Sequence, residues 1–242
     1  MLSKNQLKLI KSLALKKYRT QHRLFTVEGI KGITEFLNSD YTLHHLYTTK
    51  AIFDTENYTL ISETDLKKIS SLKSPNTALA IFEIPEPKPV KLDGLIVALD
   101  NVRDPGNLGT IIRLCDWFGI PELVCNLEAV DCYNSKVVQS TMGSLTRVNV
   151  SYLDLEAFID EHSITSFGTF MDGENVYQKQ LPKSGIIVLG NEANGISGTL
   201  EKIIDERIAI PRFGTLKATE SLNVATATAI ILSEFKRGST ER

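Results

Sequence analysis

One stretch constrains the fold of this chain more than any other. Residues 95–120, LIVALDNVRDPGNLGTIIRLCDWFGI, pass from a wholly apolar pentapeptide through a polar loop into a helical pattern. Five apolar residues without alternation suit a parallel strand covered on both faces, so 95–99 predicts a central strand of an α/β sheet. Asp100, Asn101, Arg103 and Asp104 leave its carboxyl end, the edge where such sheets place ligands. Asp104 suits an N-cap and Pro105 the first helical position, where its missing N–H is no loss. Along the helix that follows, Gly106, Gly109, Thr110 and Arg113 share a face of small residues ending in a cation, while Ile111, Ile112, Leu114, Cys115 and Phe118 form the core side. A helix glycine costs roughly 1 kcal/mol relative to alanine, so that face needs the room. Either a ligand or another backbone lies over it with Arg113 pointing in, or Gly109 serves tight helix–sheet packing and Arg113 is a solvated charge.

Two more polar loops follow strands downstream. Residues 185–189 form a buried strand leading into Gly190-Asn191-Glu192-Ala193-Asn194-Gly195, a tight loop in which Asn194-Gly195 supplies positive φ. Residues 208–210 form another strand, ended by Pro211, and Ser221-Leu222-Asn223-Val224-Ala225 opens a helix of small residues running to about Lys236, with Ser221 as its N-cap. Between these lie strands at 123–125, 146–150 and 166–170 and helices at 135–140 and 154–161. This alternation predicts a parallel sheet over 95–242.

The first 27 residues hold seven Lys or Arg and no acid, although the whole chain has a net charge of only −2. Leu7, Ile10, Leu13 and Ala14 mark the apolar face of a basic helix, and a strand follows at 24–27. Lys16, Lys17, Arg19, His22 and Arg23, interleaved with Tyr18 and Phe25, would suit a phosphate backbone with unstacked bases; as a basic helix the segment could equally be a solvated face. A helix at 30–37, strands at 43–48 and 58–61, a helix at 63–71 and a strand at 77–84 complete a compact α/β unit over 1–84. Pro85, Pro87 and Pro89 at alternate positions make 85–94 a stiff connector and a domain boundary.

No apolar stretch approaches the roughly 20 residues that span a bilayer, and the start lacks a signal-peptide core, so a cytosolic protein is expected. Cys115, Cys125 and Cys132 form no C-x-x-C pair and the histidines no ligand spacing, which points to reduced structural thiols and no metal. A glycine-rich G-x-G turn after the first strand and a phosphate-binding G-x-x-x-x-G-K-[ST] loop are both absent from the sequence.

The pattern N-x-x-D-P-x-N-x-G-x-x-x-R at 101–113 with Phe118-Gly119, then Gly-Asn-Glu-x-x-Gly at 190–195, then Ser-Leu-Asn at 221–223 resembles the three ordered signatures of the SpoU family of RNA ribose 2′-O-methyltransferases, in the SPOUT superfamily. The N-terminal segment ending in Glu28-Gly29 resembles the small substrate-binding domain often found before them. The resemblance implies a SPOUT α/β domain with a deep trefoil knot over 95–242, an N-terminal α/β RNA-binding domain, a homodimer, S-adenosylmethionine as methyl donor and RNA as acceptor, ribosomal RNA being favoured over transfer RNA. The other readings are a transfer-RNA 2′-O-methyltransferase and a non-catalytic protein that binds the donor and RNA. Ten residues lead from Pro211 to Ser221, three more than is usual in the family.

By the same resemblance the donor rests against Thr169, Gly190, Asn191, Ile210 and Leu222, and the polar active-site positions are Arg113, Asn107, Glu192, Ser221 and Asn223. A 2′-hydroxyl is a weak nucleophile at neutral pH, so it must be aligned with the methyl group and assisted in losing its proton. Arg113 either acts as the base, as proposed for the family, or grips the adjacent phosphate and stabilises charge on the ribose oxygen, the role better suited to a guanidinium.

Overall fold

The computed structural model describes residues 2–214 and 221–237. In chain order the elements are α1 (Lys4–Ser12), α2 (Lys16–His22), β1 (Leu24–Glu28), α3 (Ile30–Leu37), β2 (Leu43–Thr48), β3 (Tyr58–Leu60), α4 (Glu63–Ile69) and β4 (Ala78–Glu83). There follow β5 (Leu95–Leu99), α5 (Pro105–Trp117), β6 (Glu122–Cys125), α6 (Ser135–Thr141), β7 (Asn149–Tyr152), α7 (Leu155–Glu161), β8 (Ser166–Asn175), β9 (Gly185–Leu189), α8 (Gly198–Glu201), β10 (Glu206–Ala209) and α9 (Val224–Arg237). They fall into two compact units, Met1–Pro87 with Asp131–Thr146, and Lys88–Val130 with Arg147–Arg242.

In the first unit a four-stranded sheet runs β1-β4-β2-β3, antiparallel except for β2 with β3. Alternate residues face opposite ways, and both faces are apolar. Leu24, Tyr47, Leu79 and Ile81 pack with Ile10 and Leu13 and with Leu66 and Ile69 of α4. Phe25, Phe36 and Phe82 are fully buried and join Tyr41 and Tyr133 in an aromatic cluster, with Phe25 and Tyr133 ring centroids 4.7 Å apart. A capping box between Ser3 and Gln6 opens α1, which ends at Ser12 rather than continuing; Ala14 is exposed and falls outside the apolar face expected for it.

The sequence pattern assigned all of 95–242 to one domain. The structure instead gathers Asp131–Thr146 into the first unit. The physical reason is a set of buried contacts: the Asp131 carboxylate pairs with Arg19, Tyr133 packs on Phe25, and α6 packs on β1. After this excursion the strand expected at 146–150 starts only at Asn149, following a 3-10 turn at Ser144–Thr146.

The second unit is a six-stranded, wholly parallel sheet in the order β10-β8-β9-β5-β6-β7. Leu95–Leu99 is buried throughout, as a strand covered on both faces must be. Ile96, Ala98, Val124, Ile186 and Val188 face α7 and α8 through Leu155, Phe158, Ile159 and Leu200. On the other face α5 packs against α9, and Phe235 of α9 meets Phe167 edge-on. The pairing of β8 with β10 jumps from Gly168↔Arg207 to Glu174↔Ile208, so the intervening residues of β8 leave the ladder. Pairing resumes at Glu174, just after Gly173, where a Cβ would lie 2.5 Å from the Ile208 carbonyl carbon.

Candidate functional site

The order in which strands are added to the sheet switches sides between β5 and β9, and the loops leaving the carboxyl ends of these strands carry the polar residues. Asp100 follows β5 and is only 2% exposed. Its carboxylate accepts hydrogen bonds from Asn101 Nδ2 (3.1 Å), Asn126 Nδ2 (3.0 Å) and the Ser197 N–H (2.7 Å), so one buried anion ties together the exits of β5 and β6 and the approach to α8. Asn101 takes a left-handed conformation (φ 59). That turn is held on both sides: the Asn101 N–H donates to Asn126 Oδ1 (3.0 Å) and its carbonyl accepts from Asn191 Nδ2 (2.7 Å).

Asp104 caps α5 as the sequence indicates, accepting from the Asn107 N–H at 2.8 Å, with Pro105 next. This aims the Asn107 amide outward. Asn107 Nδ2 donates to Glu192 Oε1 (2.6 Å), and Asn107 Oδ1 accepts from Asn223 Nδ2 (2.9 Å). Three residues from separate parts of the chain, the first turn of α5, the loop after β9 and the approach to α9, thus form one continuous hydrogen-bonded chain. Asn223 also caps α9, its Oδ1 accepting from the N–H groups of Ala225 and Thr226 (3.0 and 3.2 Å). The N-cap of that helix is therefore Asn223 and not Ser221, which is exposed two residues earlier together with Leu222. Part of the long Pro211–Ser221 loop, 215–220, lies outside the described residues.

Arg113 is exposed on α5 and makes no side-chain hydrogen bond or ion pair with the described residues, so the structure does not join it to the Glu192–Asn107–Asn223 chain. The back-bond from Thr110 to the Gly106 carbonyl (2.8 Å) keeps the face between them low.

Thr169, Gly190 and Ile210 stand at or beside the carboxyl ends of the paired segments of β8, β9 and β10, three neighbouring strands. Thr169 Oγ1 donates to the Val188 carbonyl (3.2 Å) exactly where β8 leaves its ladder. The Gly190 loop is closed by paired N–H···O=C bonds between Asn191 and Gly195, both 2.9 Å, with φ 70 at Gly195 and no positive φ at Asn194. A Cβ on Gly190 would lie 2.1 Å from the Gly195 carbonyl carbon. The glycine is thus required by the chain's own backbone folding over it. Asn191 spends its side chain inside this framework: Oδ1 accepts from Ala193 and Asn194, and Nδ2 reaches Asn101. Its side chain shapes the loop.

Sequence reading passed over Asp100, Asn126 and Ser197 as members of this framework. Asn126 and Asp100 each follow a strand at its carboxyl end, and that position was the available signal; their mutual pairing depends on the β5–β6 register. Among the described residues there is no cluster of His, Cys, Asp or Glu able to hold a metal and no helix long and apolar enough to cross a membrane. All three cysteines are buried and none is in a disulfide; burial pushes the Cys115 thiol far up and the Cys125 thiol to about 12.

In the first unit Lys16 and Lys17 are exposed on α2, and His22 is exposed and stacked with Tyr18 (ring centroids 6.4 Å apart). Arg23 is half-exposed, pairing with Glu86 (2.6 Å) and donating to the Ile84 carbonyl (2.9 Å). Arg19 does not belong to an RNA-facing set. It is 3% exposed, donates from Nε and Nη2 to Asp131 (2.9 and 2.6 Å), and gives Nη1 to the Leu13 and Ala14 carbonyls. Its guanidinium is consumed in fastening the Asp131–Thr146 excursion and capping the chain break after α1. Phe25, fully buried, is likewise unavailable for stacking on a base.

The fold and this carboxyl-edge framework define a ligand-handling parallel α/β domain preceded by a smaller mixed-sheet unit. Residues 94–233 match the SpoU rRNA Methylase family model, and residues 4–80 match an MRM3-like substrate binding domain. The chain belongs to the SpoU rRNA methylase family. It is 30% identical to the 23S rRNA (guanosine(2553)-2′-O)-methyltransferase RlmP of Bacillus subtilis (strain 168), over 97% of both chains. Among solved structures it resembles a Porphyromonas gingivalis protein assigned to the TrmH family of RNA methyltransferases (38% identity, TM-score 0.91, covering 98% of this chain and 99% of the other). It also resembles an AdoMet-bound rRNA methyltransferase of Sinorhizobium meliloti (28% identity, TM-score 0.87, covering 100% and 97%).

Proposed function

We propose that this protein transfers a methyl group from S-adenosylmethionine to a ribose 2′-hydroxyl of RNA, with ribosomal RNA the substrate. The observation that carries the reading is the chain Glu192–Asn107–Asn223, which unites all three polar loops beside the strand ends at Thr169, Gly190 and Ile210. Those ends suit a nucleoside sulfonium: backbone groups stand at the sheet edge, and Leu222, 48% exposed, offers an apolar surface beside Asn223. When bound, the donor supplies an electrophilic methyl group on sulfur. In the reaction the ribose oxygen forms a bond to that methyl carbon, the carbon–sulfur bond breaks, and the hydroxyl proton leaves to solvent or the adjacent phosphate.

The protein's part is positional and electrostatic. Asn107 is fixed by donation to Glu192 and acceptance from Asn223, so the loops hold one arrangement before substrate arrives. Arg113, exposed and uncommitted among the described residues, is available for bidentate contact with phosphate and for stabilising charge on the ribose oxygen. Ser221, exposed at the approach to α9, lies on the acceptor side. In the first unit, Lys16, Lys17, His22 and Arg23 contact the RNA backbone. The family's deep knot, a homodimer and a cytosolic location belong to the same reading, as does the assignment of RNA binding to the first unit and of catalysis to the second, Lys88–Val130 with Arg147–Arg242.

The test is transfer of tritiated methyl from S-adenosylmethionine to protein-free large-subunit ribosomal RNA, with total transfer RNA in parallel. Arg113→Ala is expected to lose about 100-fold or more in single-turnover rate, and Arg113→Lys a large part of that, with donor affinity unchanged. A rate near wild type for Arg113→Ala removes Arg113 from the site. Donor binding without transfer to either RNA overturns the enzymatic reading.

A further inference from the structure

Within the first unit a cavity of about 320 Å³ opens between the start of α3 and the excursion that carries α6. Ile30, Val138 and Met142 form its apolar wall, and Lys31, Asn76 and Gln139 stand at its rim. Ile30 and Met142 are 40% and 42% exposed and both line this cavity, whereas the more exposed Leu15, Ile52 and Leu60 of the same unit lie outside its lining. Met142 is held at the mouth by its backbone. It takes φ 53, which non-glycine residues seldom adopt, and Gly143 follows at φ 98, so close to α3 that a Cβ there would lie 2.6 Å from Glu35 Cγ.

The charge of this cavity is one-sided. Its lining carboxylate, Glu28, is 7% exposed; Ser70 donates to one oxygen, and the Ser71 N–H (2.9 Å) and hydroxyl (2.6 Å) donate to the other. No carboxylate in the lining faces outward, while Lys31 does, and α3 begins at Gly29 with no side chain capping its first turn. An occupant must have an apolar face for Ile30 and Met142, polar edges for the amides of Asn76 and Gln139, and an attached anion for Lys31. A nucleobase on its ribose-phosphate meets all three requirements, and about 320 Å³ is at the small-ligand end of binding cavities.

We infer that this cavity receives one unstacked base of the substrate RNA, with the neighbouring phosphate at Lys31. The inference rests on the RNA methyltransferase reading and extends it to a recognition site in the first unit. Single-stranded bases splayed into protein pockets are the usual means of sequence-specific RNA recognition.

The experiment uses the full chain and protein-free large-subunit ribosomal RNA substituted with 4-thiouridine. Gln139→Trp plugs the mouth from an exposed helical position, and Met142→Gly removes the wall while relaxing the left-handed backbone. Both are expected to weaken RNA binding about tenfold with an unchanged salt slope, and to abolish ultraviolet cross-linking to peptides containing Ile30 or residue 142. Lys31→Gln should reduce the salt slope by about one. Thermal midpoint and donor affinity should stay at wild-type values. Unaltered affinity and cross-linking in Gln139→Trp, with wild type binding and methylating normally, overturn the cavity alone. Failure of wild type to bind or methylate the RNA overturns the enzyme reading, and the cavity with it. Binding to intact large subunits but not to protein-free RNA, lost in Gln139→Trp, assigns the cavity to a protein and overturns the base.

Discussion

Asn107→Ala tests the central hydrogen-bonded chain directly, because it removes both links at once while leaving the helix cap: the Asn107 bond to Asp104 comes from its backbone. The lost donation to Glu192 is a bond to a carboxylate, worth roughly 1.5–3 kcal/mol in favourable settings, and the lost acceptance from Asn223 a neutral one worth roughly 0.5–1.5 kcal/mol. Asn107 and Glu192 are only partly buried and Asn223 is exposed, so solvent replaces part of both and about 2 kcal/mol is the appropriate sum. If that preorganisation is fully expressed in the transition state, single-turnover methylation falls about 30-fold. Global stability should change little, since Asn223 keeps its cap on α9 through Ala225 and Thr226. Asn107→Asp is sharper: it retains the acceptor for Asn223 but sets a carboxylate where an amide donated at 2.6 Å. Two like charges so close raise the pKa of one of them, so this variant should be weakest at high pH and recover as pH falls and one proton is shared. Single-turnover transfer of tritiated methyl, read from pH 5.5 to 8.5 with thermal melting in parallel, decides the matter. A rate within threefold of wild type for both variants, at unchanged stability, would show that the chain merely staples loops.

Removing one partner of the buried Arg19–Asp131 pair leaves the other uncompensated; Asp131→Ala should cost about 3–5 kcal/mol and lower the melting temperature by about 10 °C, whereas Lys16→Glu with Lys17→Glu should weaken RNA binding and flatten its salt dependence without moving the melt. Gly190→Ala, whose Cβ would meet the Gly195 backbone, should abolish donor binding by calorimetry, while Gly195→Ala, with open space but φ 70, should cost only about 1 kcal/mol of strain in a melting experiment. Burial raises the Cys115 and Cys125 thiols, so both should resist alkylation at pH 8 until the protein unfolds; because the unfolded thiols ionise near pH 8.5 and the folded ones do not, stability should fall as pH rises above that value, by up to about 1.4 kcal/mol per pH unit for each thiol.

The sequence by itself determined the elements that carry the chemistry. Leu95–Leu99 and Gly185–Leu189 are apolar at every position, which only a strand buried on both faces tolerates, and their boundaries match the pattern. Asp104-Pro105 specifies a helix start through local hydrogen bonding and fixed φ alone, and it starts there. Polar residues bunched after apolar strands pointed to the correct edge of the sheet. What depends on partners far along the chain was decided only by the tertiary structure. Arg19 reads as one cation among seven until Asp131, 112 residues away, is seen to bury it, and the same contact draws Asp131–Thr146 out of the second unit. The cap of α9 falls to Asn223 rather than Ser221 because the helix geometry places the Asn223 Oδ1 on the N–H groups of Ala225 and Thr226, two residues later than composition suggested. That Gly190 must lack a side chain is decided by the turn at Gly195 that folds over it, and Asp100 looks like loop polarity until the register of β5 with β6 brings Asn126 to it. Local propensity and periodicity act over a few residues and survive in one dimension; burial, charge pairing and strand register join distant residues and exist only once the chain has closed on itself.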